Sequence, residues 1–303
     1  MKFVTVPRWT PAEPADYRPE LETGNVLFFP ETPFVFPHES KEFLRNLSFS
    51  GGAIHKNVAY RPASDRVTGV EAGKAQLEQL RNIMREYSRS VVRFTADLLP
   101  CYAATWKLDY ASFRPLEEEG RNLPLNKRND LIHTDAFPSR PTNGDLILRV
   151  FTNIHTSKSR NWITTDAFRA VAEQYAFDAG LQRIAATGSF RNSSTRLLRS
   201  FGLPIVSRSP YDRFMLRFHD YLKQNQAFQQ TCPKYRFDFP PGSTWLAFTD
   251  VVPHSVHSGQ HALEQTFIVA RASLAHPENA PVSILERLCG KPLLADAHAA
   301  RVA

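Results

Sequence analysis

His133 and Asp135 stand two residues apart in the run LIHTDAF (131–137). In an extended segment, residues two apart point to one face, where an imidazole and a carboxylate can grip a single metal ion. Alone, such a pair is more often structural than ligating. A second feature lifts it: the run PPGSTWLAFTDVVPHSVHSG (240–259) reads as a turn, an apolar strand, and a histidine, His254, at the strand's far end. Two histidines and one carboxylate on facing strands make the open-sided site that holds Fe(II) and leaves three positions for a chelating keto acid and dioxygen. His257 and His261 compete with His254 for the third place. His257 lies three residues on, which puts it on the opposite face of any continuing strand.

The elements that must position these residues are mostly short strands. NVLFFP (25–30) and PFVFP (33–37) are aromatic runs bounded by proline, which suits edge strands because proline cannot donate to a ladder. Between Gly73 and Leu99, Leu77, Leu80, Met84, Tyr87, Val91, Phe94 and Leu98 recur at steps of three and four, which predicts a helix. Arg81, Arg85, Arg89 and Arg93 fall on its other faces, as a solvated surface or an anion-binding stripe. Trp106, Leu108 and Tyr110 alternate with charged residues as a half-buried strand. The polar segment 112–130 that follows is long for a plain connector and is a candidate lid or substrate loop. LIHTDAF and the apolar run 145–155, joined through Asn143-Gly144, read as two neighbouring strands. Helices are expected over 164–177 and 210–228, with Ser209 as N-cap and Pro210 at the first helical position. Strand character returns in 234–240, 241–250 and 265–274.

Composition bounds the rest. The chain has 303 residues, 42% hydrophobic and 22% charged, which is enough for a substantial core and excludes disorder. A formal charge of +7 attracts anions, whether nucleic acid, acidic lipid or a charged small substrate. No zinc finger, RNP-like motif or continuous basic helix is present, so nucleic acid is not an expected partner. Cys101, Cys232 and Cys289 are far apart and odd in number, which argues against a disulfide framework and for a reducing cytoplasm. The N-terminus lacks a continuous apolar stretch, and no run approaches a membrane span. With no composition break, the chain reads as a single domain, 1–303, opening with an extended arm at about 1–24. The oligomeric state is not legible.

The His133-x-Asp135 pair and the distal-histidine strand 240–255 resemble the iron(II)- and 2-oxoglutarate-dependent dioxygenases. That resemblance implies an α+β fold with a double-stranded β-helix (jelly-roll, cupin-like) core and metal ligands at His133, Asp135 and His254. The interval of 119 residues between Asp135 and His254 is long for this superfamily and implies a helical insertion at about 156–234. Many members carry an Arg about ten residues after the distal histidine for the far carboxylate of 2-oxoglutarate; here the segment HALEQTFIV offers Gln265. Arg149, a charge inside the apolar run LILRVFTNI, is the first substitute and Arg271 the second, since a charge in such a run is rarely unpaired. Asn153, of the same facing parity as Arg149, is a further candidate for the keto acid.

His133-Thr-Asp-Ala-Phe-Pro-Ser-Arg-Pro-Thr-Asn-Gly, running into Ile147-Leu-Arg-Val-Phe-Thr-Asn-Ile, is similar to the Kdo hydroxylases. These hydroxylate C3 of 3-deoxy-D-manno-oct-2-ulosonic acid (Kdo) on the inner core of lipopolysaccharide. The resemblance implies Fe(II), 2-oxoglutarate and dioxygen as cofactor and co-substrates, and Kdo-lipid A or another lipopolysaccharide precursor as partner. Arg114, Arg121, Lys127, Arg128, Arg140 and Arg160 are then candidates for the anionic groups of that substrate, because guanidinium suits carboxylate and phosphate. A peripheral location on the anionic cytoplasmic face of the inner membrane follows, with Phe28, Phe29 and Phe34 as candidate exposed anchors. The rival readings are a 2-oxoglutarate-dependent hydroxylase of another anionic small molecule or a protein, and a non-catalytic jelly-roll carbohydrate- or anion-binding protein.

Overall fold

The computed structural model describes residues 2–12, 15–47, 54–186 and 208–294. The strands are β1 (Phe3–Thr5), β2 (Val26–Phe29), β3 (Ile54–Arg61), β4 (Arg66–Val70), β5 (Lys107–Arg114), β6 (Leu146–Asn153), β7 (Arg160–Thr164), β8 (Tyr235–Phe239), β9 (Thr244–Phe248), β10 (His254–Ser258) and β11 (Ala262–Val269). The helices are α1 (Arg18–Glu22), α2 (His38–Arg45), α3 (Lys74–Leu98), α4 (Pro100–Ala103), α5 (Phe168–Tyr175), α6 (Pro210–Gln224), α7 (Gln226–Thr231) and α8 (Pro281–Cys289).

An eight-stranded sheet, ordered β1-β2-β9-β6-β11-β5-β3-β4, faces a three-stranded sheet, ordered β10-β7-β8. From β6 onward the chain passes back and forth between them: β7 and β8 lie in the small sheet, β9 in the large, β10 in the small and β11 in the large. That alternation of antiparallel strands between two sheets is the jelly roll that the resemblance implied. Between the sheets lie Phe151, Trp162, Trp245, Phe237 and Phe239, the last stacked on Trp245 at 3.8 Å. The other face of the large sheet packs on α3 through Met84, Tyr87, Val91 and Phe94. Buried on both sides, β6 and β9 read as continuous apolar runs rather than alternating ones.

The predicted helix over 73–99 is present as α3, with Leu80, Met84, Tyr87, Val91, Phe94 and Leu98 buried. Arg85 and Arg81 pair with Asp65, while Arg89 and Arg93 are exposed. The arm contains β1, which pairs in parallel with β2, and α1. PFVFP is not a strand: with Pro33 and Pro37 at its ends it is irregular chain. The aromatic anchors are also corrected. Phe29 is buried in the core, Phe28 packs on Phe3, and Phe34 packs on Phe94, whereas Val35 is 83% exposed.

Only Thr165 onward departs from the core between β7 and β8, because 160–164 is itself a core strand. Residues 187–207 of the expected insertion lie outside the described residues. Ser209 caps α6 as expected, accepting from Asp212 N at 3.0 Å, while Asp212 Oδ2 accepts from Ser209 N at 3.3 Å. The helix expected to run to 228 stops at Gln224. Asn225 then caps α7 by accepting from Phe228 N at 3.0 Å.

Candidate metal centre

His133 and Asp135 belong to no full strand. The segment adds to the edge of the small sheet by one bridge: His133 N donates to His254 O at 3.0 Å and His254 N donates to His133 O at 2.9 Å. Asp135 N then donates to Thr249 O at 3.0 Å, which fixes the chain on the far side of the pair. His254 opens β10 rather than closing β9; the turn 249–253 carries it from one sheet to the other. The outcome is as the spacing required. One ligand atom from each of His133, Asp135 and His254 lies within 4.8 Å of the others, the one such cluster among the described residues.

Both imidazoles are oriented alike. His133 Nδ1 donates to the carbonyl of Leu131 at 2.7 Å and His254 Nδ1 to that of Val252 at 2.8 Å. A carbonyl can only accept, so each ring carries its proton on Nδ1 and keeps the Nε2 lone pair for a metal. Trp162 stacks on His254 with centroids 4.7 Å apart. Burial pushes His133 well below the usual histidine range, helped by His254, and burial likewise lowers His254. Burial pushes the Asp135 carboxyl up, but the Arg149 guanidinium beside it outweighs burial and holds it well below the usual carboxylate range. The centre is therefore two neutral imidazoles and one carboxylate, a donor set that fits divalent iron.

From Asp135 a chain of alternating charges runs across β6, β11 and β5 to the loop residue Glu118. Arg149, facing the site from β6, reaches Asp135 Oδ2 at 3.3 Å and Glu264 Oε2 at 3.4 Å. Glu264 on β11 accepts from Arg114 Nη2 at 2.7 Å and Nε at 3.0 Å. Beyond it Glu118, from the long loop, takes Arg160 at 3.3 Å, Arg121 at 3.4 Å and Arg114 at 3.7 Å. Burial pushes the Glu264 carboxyl up, and Arg114 and Arg149 pull it back below the usual range. Arg160 is pushed down to about 10 by burial and the neighbouring Arg114. Arg140 lies over the Phe137 ring at 4.4 Å and pairs with Asp109 at 2.9 Å. Arg121 lines a cavity of about 480 Å³ with Glu118, Asp130 and His257.

Other expected residues are elsewhere. Gln265 points to the opposite face of β11, because adjacent strand residues alternate; it accepts from Ser88 Oγ of α3 at 2.7 Å and donates to Asp109 O at 3.0 Å. Asn153 is consumed by the backbone, donating to Lys158 O and Phe239 O and accepting from His155 N. Arg271 stands past the end of β11 in a 3-10 turn, where its N–H donates to Asp145. Lys127 is exposed and Arg128 pairs with its neighbour Asp130. Arg114 and Arg160 are strand residues rather than loop residues, at the end of β5 and the start of β7; Arg160 is buried and Arg114 half-buried. His257 is exposed; His261 sits in the β10–β11 turn at φ 54°, stacked on His155.

Sequence reasoning missed the groups that hold the ligands. Glu264, which holds Arg149 and Arg114, stands ten residues after His254 and one residue before Gln265, and strand parity was the signal that separates them. The inserted helices also contribute. Gln229 Oε1 accepts from Ile132 N at 3.0 Å and its Nε2 donates to Ile132 O at 2.8 Å, gripping the backbone beside His133. His219 of α6 donates Nδ1–H to Thr134 O at 2.7 Å, its ring edge-on to His133 at 4.8 Å.

The comparisons with known proteins agree with this geometry. A family described as 3-deoxy-D-manno-oct-2-ulosonic acid (Kdo) hydroxylase matches residues 7–292. The structure is similar to that of the Kdo hydroxylase KdoO, a non-heme Fe(II) α-ketoglutarate-dependent dioxygenase, in complex with α-ketoglutarate and Fe(III). The two are 33% identical over 97% of this chain and 98% of that one, with a TM-score of 0.82. The cobalt(II) complex of KdoO gives 34% identity, the same coverage and a TM-score of 0.83. The search of curated proteins finds no match. The match runs over nearly the whole chain, by sequence and by fold: the chain belongs to the Kdo hydroxylase family.

Proposed function

We propose that the protein hydroxylates C3 of Kdo in the inner core of lipopolysaccharide, as an iron(II)- and 2-oxoglutarate-dependent dioxygenase. The observation that carries the reading is the His133, Asp135, His254 cluster with both Nδ1 hydrogens committed to carbonyls, in a chain of this family. Iron(II) held by these residues, together with 2-oxoglutarate and dioxygen, supplies the oxidation: the keto acid is split to succinate and carbon dioxide while one oxygen atom enters the substrate.

The protein's residues bind, orient and exclude water. Arg149 and Arg114 are the cations for the far carboxylate of 2-oxoglutarate, because they converge on Glu264 from β6 and β5 beside Asp135. Glu264 keeps the two guanidinium groups together without a ligand, since uncompensated buried charges repel. Trp162 and Phe151 close the space between the sheets against water. Among the substrate candidates, Arg121, which lines the 480 Å³ cavity, and Arg140, stacked on Phe137 beside Asp135, stand where an anionic sugar can meet them. No helix among the described residues is long and apolar enough to cross a membrane. The charge of +7 favours a meeting with a lipid-linked substrate at an anionic membrane surface. Succinate formation tests the reading: Kdo-lipid A should trigger it and peptides or free amino acids should not. Equal response to all of them would overturn it.

A further inference from the structure

The apolar contact that the large sheet makes with the small one draws on β1, β2, β9 and β6, through Phe3, Val26, Phe28, Phe151, Trp245 and Ala247. Past β6 the large sheet runs on through β11, β5, β3 and β4, and there its metal-facing side carries charge instead. A row of alternating cations and rings leads outward along it. Arg149 lies over the Phe137 ring at 5.4 Å, Arg140 over Phe137 at 4.4 Å and over Tyr110 at 4.1 Å, and Arg61 over Tyr110 at 4.9 Å. A β-bulge builds the middle of the row. Asp109 and Tyr110 of β5 together oppose Thr266 of β11, and a bulge of this kind re-aims side chains. Both meet Arg140, Asp109 at 2.9 Å from its Nε and Tyr110 through its ring. The Arg140 guanidinium is thus held in place with 34% of its side chain exposed, a fork suited to carboxylate or phosphate. At the outer end, Arg61 stands directly opposite Arg66 in the β3–β4 pair, and both are exposed. Like charges in that position destabilise a strand pair, and an anion between them reverses the sign of the interaction. The neighbouring acid, Asp65, is engaged by Arg85 and Arg81 of α3.

We propose that Arg140, Arg61 and Arg66 form a second anion subsite, on the part of the sheet face that the small sheet leaves uncovered. It takes a carboxylate or phosphate of the glycolipid beyond the sugar presented to the metal. The subsite rests on the reading of the protein as a Kdo hydroxylase and extends it outward from Arg140 by two cations. A contact made away from the metal fixes the direction in which the glycan lies, and so which carbon reaches the iron.

The test uses full-length protein loaded with iron(II) and 2-oxoglutarate. An Arg61→Gln, Arg66→Gln double variant is compared with the wild type and with an Arg89→Gln, Arg93→Gln control, which removes the same charge from exposed positions of α3 on the other side of the sheet. The first variant should raise the KM for Kdo-lipid A about tenfold or more, the loss expected for a charge-assisted contact. Its iron content and 2-oxoglutarate KM should stay close to wild type, and the control should keep the wild-type KM for the lipid. Kdo-lipid A stripped of its phosphates separates the two sources of the anion. If the subsite holds a phosphate, the wild type should fall to the variant's KM on the stripped lipid; if it holds a carboxylate, the gap should persist. Equal KM for the wild type and the Arg61→Gln, Arg66→Gln protein would overturn the proposal. So would an equal rise in the control, which means diffuse attraction rather than a site. No turnover of Kdo-lipid A by the wild type would remove the functional reading, and the proposal with it.

Discussion

At the residue scale, His133, Asp135 and His254 were legible because strand geometry has a period of two and because a carboxylate between histidines has a narrow chemistry. Their carbonyl partners were not, since Leu131 O and Val252 O carry no side-chain signature. Replacing any of the three ligands by Ala should abolish turnover and reduce bound iron while leaving the circular-dichroism spectrum unchanged. Arg149→Ala should raise the 2-oxoglutarate requirement by the equivalent of about 3 to 5 kcal/mol, because it strips the partner from a buried carboxylate. Arg271→Ala, past the end of β11, should leave that requirement alone; saturation kinetics in 2-oxoglutarate measure both. Asp250 gives a pH signature. Burial pushes its carboxyl from 3.8 to about 7, against the Ile147 N–H it accepts at 3.1 Å. The folded chain then keeps a proton that the unfolded chain has lost, so stability falls as pH rises from about 4 to about 7. The full contribution is about 4 kcal/mol. Asp250→Asn should flatten this part of the melting-temperature profile, and an unchanged slope would refute the assignment.

At the element scale, α3 and the Ser209 cap could be read because a helix announces itself by period and by its first residue. The break at Asn225 could not, since asparagine at the centre of a helical pattern is tolerated until its side chain finds a backbone N–H to cap. The consequence of that break is functional: it turns α7 so that Gln229 reaches both polar groups of Ile132. Groups that orient metal ligands are worth about 10- to 100-fold in metal affinity. Gln229→Ala should therefore weaken iron binding by about that factor in a chelator competition, though it touches no ligand side chain.

At the scale of the whole molecule, the wrapping of one chain between two sheets does not follow from periodicity, because β6 and β9 are buried on both faces and lose the alternation that marks a half-buried strand. It came from the family resemblance. Nor did the long-range pairs follow: Glu264 meets Arg114 across 150 residues of sequence. Surface attraction is a molecular property too. With a net charge of +7 and Phe28, Phe29 and Phe34 packed inward or against the core, binding to anionic vesicles should be electrostatic and should wash off as salt shortens the Debye length from about 10 Å at 0.1 M to about 3 Å at 1 M. Sedimentation across a salt series measures it, and salt-resistant binding would call for an apolar contact instead. The most direct test of the central claim is the fate of oxygen. Incubated with Kdo-lipid A, 2-oxoglutarate, iron(II) and isotopically labelled dioxygen, the protein should place one labelled oxygen at C3 of Kdo and the other in succinate, in equal amounts, and His254→Ala should do neither. Unmodified Kdo-lipid A with the wild type, or label elsewhere than C3, would contradict the account.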